Sequence, residues 1–190
     1  MDHEVTPGVS DYELIDHLRE VVADVATPVC IVSRRKIPLL NSHVTELLKA
    51  NVGGDSPPRP VTADQFKDLP EWINDQDGPV TIISYLSLWR RDASHAALAA
   101  LAEVVPVGSR FVFVEPTLGL GFSSLIQWVA RPLLERRLGV SFHRDIPAVL
   151  RSAGWQLTTV KRVSVGAPAA VMTFAVGEAR KYPAGRGANL

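Results

Sequence analysis

Near its C-terminal end the chain carries two runs that read as strands, residues 155–165 and 169–176, joined by only Gly166-Ala167-Pro168. So short a link cannot hold a crossover, and the two runs must pair antiparallel. Upstream the pattern is different. Short apolar runs at 28–33, 60–63, 79–85 and 110–115 alternate with helical periodicity at 11–25, 39–51, 92–105, 122–138 and 145–153. Strands separated by helices run parallel, and a parallel sheet is covered on both faces. Together these patterns predict a three-layer α/β domain. Its sheet is mostly parallel and ends in a C-terminal antiparallel hairpin, with one antiparallel strand near an edge.

Local signals set the boundaries. Leu14, Ile15, Leu18, Val21, Val22 and Val25 form one helical stripe, with Ser10 or Asp11 as its cap. The helix at 39–51 is ended by Gly53-Gly54. Asp55-Ser56-Pro57-Pro58-Arg59-Pro60 reads as a loop, because its prolines exclude both helix and central strand. Gly108-Ser109 turns the chain into Arg110-Phe111-Val112-Phe113-Val114-Glu115, a buried run that ends in a carboxylate. Asp145 reads as the N-cap of the last helix, which Gly154 stops. From Arg180 the tail is polar and Gly-rich and reads as loose. The expected organisation is a single domain over 1–180 and a flexible tail over 181–190.

Composition excludes several classes of function. With 20 basic and 20 acidic residues the formal net charge is zero, so no long-range field draws the chain to nucleic acid or an anionic membrane. The single cysteine, Cys30, allows no intrachain disulfide and no cysteine-based zinc cluster; in its apolar run it reads as a buried thiol. The acidic, polar start is no secretory signal. The longest uncharged apolar stretch, 116–130, contains Gly and Ser and is too short to span a bilayer. A reducing cytoplasm is the expected compartment. His3, His17, His43, His95 and His143 are scattered, with no metal-ligand spacing, Ser-His-Asp set or P-loop; no metal is expected.

A family pattern emerges between residues 61 and 157. Val61-Thr62-Ala63-Asp64-Gln65-Phe66-Lys67-Asp68-Leu69-Pro70 comes first, then the strand and turn of 79–89. The helix at 92–105, Pro106-Val107-Gly108-Ser109 and the acidic-ended strand through Glu115-Pro116 follow, then Phe142-His143-Arg144-Asp145-Ile146 through Ala153-Gly154-Trp155. Their order resembles the class I S-adenosylmethionine-dependent methyltransferases, nearest the ubiquinone/menaquinone-biosynthesis-like small-molecule enzymes. The resemblance implies a Rossmann-like methyltransferase fold with S-adenosylmethionine as cofactor. It places Asp64, Gln65 and Phe66 toward the adenine at the exit of the third strand, and Ser84 and Tyr85 at the end of the fourth. Trp89, Glu115, Trp128 and His143 fall in the acceptor pocket. Glu115 is open to two roles, a substrate ligand or the partner of a cation such as Arg144. His143 is the candidate acid-base group, since an imidazole can deprotonate a substrate hydroxyl near neutral pH.

The front of the chain departs from that pattern. With 28–33 as the family's second strand, 11–25 is the first helix, and Val5-Thr6-Pro7-Gly8-Val9-Ser10 stands where the glycine-rich loop belongs. Gly8 and Ser10 are its cofactor candidates. One glycine replaces the usual three, which let backbone approach the cofactor, and so little chain precedes it that the first strand is short or missing. Ser33 occupies the position of the acidic residue that binds the ribose. Arg34-Arg35-Lys36 after it suits a phosphate, as in NADP-type pockets, or a solvated basic helix start. The stripe at 122–138 reads as an apolar lid over a small apolar or lipid-like acceptor, a membrane or partner contact, or core. Two functions stay open. One is methyl transfer to such an acceptor. The other is a non-catalytic binding or partner subunit of the same fold, with a protein partner or a homodimer completing it.

Overall fold

The computed structural model describes residues 28–33, 46, 61–63, 66–88, 95–117, 145–165 and 172–183. Strand β1 is Val29–Ser33 and β2 is Val61–Ala63. A 3-10 turn, Phe66–Asp68, runs into helix α1, Leu69–Asn74, followed by β3, Thr81–Tyr85. Helix α2 is His95–Val104, β4 is Arg110–Thr117, α3 is Ile146–Ser152, β5 is Gln156–Val165 and β6 is Met172–Arg180. The sheet order is β2-β1-β3-β4-β6-β5. The first four strands are parallel, and β6 runs antiparallel to β4 on one side and β5 on the other. This is the expected mostly parallel α/β sheet with its C-terminal hairpin, and β6 is the antiparallel strand one place in from the edge. Val29↔Thr81 and Cys30↔Ile82 pair directly, so no strand lies between β1 and β3. The expected helices at 11–25 and 122–138 lie outside the described residues, and so does that at 39–51 apart from Glu46, which is helical.

Alternation along the strands builds the core. Cys30, Val32, Ile82, Phe111 and Phe113 belong to one buried cluster with Leu69 and Ile73 of α1, Leu98 and Leu101 of α2, and Ile146 and Leu150 of α3. Phe111 anchors it, with Phe66 and Trp155 at ring-centroid distances of 6.0 and 5.1 Å. The intervening residues Ile31, Ile83, Tyr85, Val112 and Val114 are buried as well, as both faces of a parallel sheet require. Cys30 is the buried thiol its setting predicted.

Most boundaries follow their sequence signals. The Asp145 carboxylate accepts from the Ala148 N–H at 3.4 Å and caps α3, and Gly154 takes the positive φ of 88° that ends it. Helix α1 is not legible as such, because Pro70 interrupts the apolar pattern; it sits in the first turn, where a proline donates no needed N–H. Strand β6 is described from Met172 and runs four residues further than expected, through Arg180. Its polar end is tolerated because Arg110 meets Glu178 with two bonds, Nε to Oε1 at 3.2 Å and a terminal nitrogen to Oε2 at 2.8 Å. Arg180 Nε adds a third at 2.6 Å. The Lys181 N–H donates to the Ser109 carbonyl at 3.0 Å, and the Gly108 N–H to the Lys181 carbonyl at 2.9 Å, so the chain is still fixed where a loose tail was expected to begin.

Two consequences are measurable. A register shift between Leu157 and Thr159 bends β5 over Gly177. A Cβ there would collide with the Thr159 carbonyl oxygen and come within 2.8 Å of the Phe113 ring. Gly177→Ala should therefore cost about 2 kcal/mol or more in urea unfolding. For Glu178, burial raises the carboxyl pKa, but the bonds from Arg110 and Arg180 outweigh it and hold the group below its ordinary range. That contribution is present above the ordinary carboxylate range and is lost as pH falls through the folded value. Glu178→Gln should lose about 3 kcal/mol at neutral pH, and its deficit should shrink when unfolding is repeated in acid.

Candidate functional site

The chain leaves β1, builds β2 on one side of it, then returns to place β3 on the other. A parallel sheet opens a crevice outside its carboxyl ends at such a reversal. Ser33 and Tyr85, the last residues of β1 and β3, are paired there, and β2 ends beside them, with Ala63 opposite Val32.

The chain leaves β3 through a tight turn. Leu86 takes a positive φ of 52°, unusual for a branched residue and costing about 1–2 kcal/mol. Such a backbone persists only when its surroundings fix it. The Leu86 N–H donates to the Val114 carbonyl at 3.0 Å. The next two N–H groups, of Ser87 and Leu88, each donate to the Glu115 carboxyl at 2.9 Å, one to each oxygen. Strand β4 makes this possible because it continues past the end of β3: pairing with β3 stops at Val114, while Glu115, Pro116 and Thr117 pair with β6 alone. Pro116, with no N–H to give, falls on this one-sided stretch.

Hydroxyls complete the arrangement. Ser84 Oγ lies 2.5 Å from Glu115 Oε1 and 2.7 Å from Ser87 Oγ. Ser87 Oγ is 3.2 Å from the Val32 carbonyl oxygen of β1 and 3.4 Å from Glu115 Oε1. Glu115 is fully buried. Burial pushes its pKa up, the hydrogen bonds from Ser84, Ser87 and Leu88 pull it part of the way back, and it settles at about 7.

Several sequence candidates meet here in unexpected roles. Glu115 is bonded to serine hydroxyls and backbone N–H groups, and no cation partners it among the described residues. Ser84 and Tyr85 are fully buried at the end of β3. Phe66 belongs to the core cluster and is stacked on Phe111. Of Ser33 only the strand position is described. Gly8, Ser10, Asp64, Gln65, Trp89, Trp128, Arg144 and His143 lie outside the described residues. Ser87 stands three positions after Ser84 in the turn and bonds the same carboxylate. Among the described residues no three His, Cys, Asp or Glu side chains cluster as a metal site, and no helix is long and apolar enough to cross a membrane.

The raised pKa has a sign that can be checked. A carboxyl raised in the folded state favours folding most below its ordinary value, and that contribution is lost as pH rises through the folded value. Urea unfolding should show wild-type stability falling between about pH 4.5 and pH 8, by up to about 3 kcal/mol. Glu115→Gln should lack this component. It should also be less stable in mild acid by about 1–3 kcal/mol, because a carboxamide cannot accept from both backbone N–H groups.

No protein-family model and no curated protein sequence matches the chain. Solved structures do. A Bacillus halodurans protein assigned as a methyltransferase aligns with a TM-score of 0.57 at 10% identity, over 90% of this chain and 99% of that one. A chain from the Haloferax volcanii complex of the Trm112 methyltransferase activator with an assigned methyltransferase has a TM-score of 0.57 at 11% identity, over 88% of each. The [4+2]-cyclase SpnF reaches 0.57 at 13% identity, over 94% of this chain and 87% of its own. At such identities the likeness concerns architecture alone, and a cyclase among these structures shows that the architecture does not fix the reaction. The chain has the fold of the class I S-adenosylmethionine-dependent methyltransferases.

Proposed function

We propose that the chain is a methyltransferase-like protein that takes S-adenosylmethionine in the crevice between the ends of β1 and β3. The observation that carries this reading is the switch point itself, where β1, β2 and β3 end together beside an exit turn fixed by Glu115. One feature of the arrangement suits an adenosine group: Asp64 and Gln65 directly follow the last residue of β2, at the edge where Ser33 and Tyr85 end. Asp64, Gln65 and Ser33 would hold the nucleoside, with Gly8 and Ser10 toward the remainder. The cofactor would supply an electrophilic methyl group. The chain's part would be positioning and exclusion of water, which methyl transfer chiefly needs. Trp89, Trp128 and His143 remain the proposed lining for a small apolar acceptor, with His143 as the candidate base.

A second reading is a binding or partner subunit of the same fold without catalysis. One observation favours it. Ser33 stands where an acidic residue would bind the ribose, and Val5-Thr6-Pro7-Gly8-Val9-Ser10, where the glycine-rich loop belongs, holds one glycine in place of the usual three. Backbone cannot approach a ligand there as closely as a glycine loop allows.

Calorimetric titration separates the two. On the first reading S-adenosylmethionine and S-adenosylhomocysteine bind with micromolar affinity, about 8 kcal/mol, and Asp64→Ala weakens both at least about tenfold. A folded wild type that gives no heat with either ligand overturns the first reading and directs the search to protein partners.

A further inference from the structure

Four oxygens form an unbroken file from the end of β4 to the end of β1. Glu115 Oε1 is 2.5 Å from Ser84 Oγ, Ser84 Oγ is 2.7 Å from Ser87 Oγ, and Ser87 Oγ is 3.2 Å from the Val32 carbonyl. Each of these contacts needs one proton between its oxygens. The two hydroxyls supply two, and the carbonyl supplies none. The third must sit on the carboxyl. With Glu115 neutral, its O–H donates to Ser84, Ser84 to Ser87, and Ser87 to Val32. The lone pairs of its two oxygens still accept the Ser87 and Leu88 N–H groups. With Glu115 ionised the file reverses: Ser84 donates to Glu115, Ser87 to Ser84, and Val32 is left without its bond.

The contact that is lost joins the exit turn of β3 to β1 across the switch point. We propose that Glu115 is a positioning residue that stores one proton and, through Ser84 and Ser87, fastens the turn at Leu86, Ser87 and Leu88 to the end of β1. Losing the proton removes this fastening to β1, while the bonds from the turn to Val114 and Glu115 of β4 remain. The consequence for a ligand rests on the cofactor reading above. The raised pKa of Glu115, about 7, places the change within the physiological range. Among the described residues nothing charged competes for control of it. The groups that act on it are the hydroxyls of Ser84 and Ser87 and the N–H groups of Ser87 and Leu88. Val32 of β1 and Ala175, the residue of β6 that pairs with Glu115, carry no titratable side chain.

Amide NMR of the full chain from about pH 5.5 to 8.5 tests the relay. The Ser33 N–H belongs to the same peptide group as the Val32 carbonyl and reports the bond made there. In the wild type the amides of Ser87, Leu88 and Ser33 should titrate with one midpoint near that of Glu115. In Ser87→Ala the Leu88 amide should still titrate and the Ser33 amide should not; in Glu115→Gln neither should. A Ser33 amide that ignores pH in the wild type, or that titrates unchanged in Ser87→Ala, overturns the relay. S-adenosylhomocysteine is then titrated at about pH 6 and pH 8. Wild type should bind about threefold or more tightly at the lower pH, the weight of one hydrogen bond, and Ser87→Ala should bind equally at both. Equal wild-type affinity at the two values overturns the role of the proton in ligand binding. Titrating amides with no uptake of the probe overturn the cofactor reading and leave the relay standing.

Discussion

A carboxyl group taken out of water with no cation beside it is costly, and this fold keeps one at the end of β4. What offsets the cost is a set of donors that no other side chain could engage at once. Two consecutive backbone N–H groups need acceptors because Leu86 has turned the chain into a left-handed conformation. A carboxyl offers one oxygen to each, and serine hydroxyls occupy what remains. Without it the Ser87 and Leu88 N–H groups would lose these acceptors, and Leu86 would lose a restraint that holds its strained backbone. The geometry at the switch point depends on this one group.

Strand β4 carries a second charge arrangement at its other end. Arg110 opens the strand and is clamped by Glu178 of β6, which Arg180 also holds. The two carboxyls answer pH in opposite senses because their surroundings differ. Glu178 has cations and is stabilised as the anion, while Glu115 has neutral donors and burial. One end of the strand thus serves cohesion of the hairpin, and the other serves the edge of the sheet where a ligand would sit. Stability and site geometry are assigned to different ends of the same central strand, so changes at one need not disturb the other.

Much of this was legible in the sequence because burial on both faces leaves an unmistakable run of apolar residues. β1, β3 and β4 were read from such runs, and the antiparallel hairpin from the shortness of Gly166-Ala167-Pro168. Asp145 and Gly154 announced the ends of α3. Helix α1 was hidden because Pro70, a breaker elsewhere, is at home in a first turn. The stacking of Phe66 on Phe111 joins residues far apart in sequence, so no local pattern announces it. Glu115 was recognised as exceptional, but its partners were not. Ser84 and Ser87 lie 31 and 28 residues away in sequence, and two of the decisive donors are backbone groups that have no letter in a sequence.

Gly177 also bears on how the hairpin finds its alignment. Under the Thr159 carbonyl there is space for a hydrogen and nothing larger. If β6 slid by one residue, the side chain of Val176 or Glu178 would arrive at that point, and the clash would be immediate. A strand of alternating small and apolar residues such as Met172–Arg180 has little else to forbid a slip. The missing side chain therefore works as a pin that disfavours misaligned pairings.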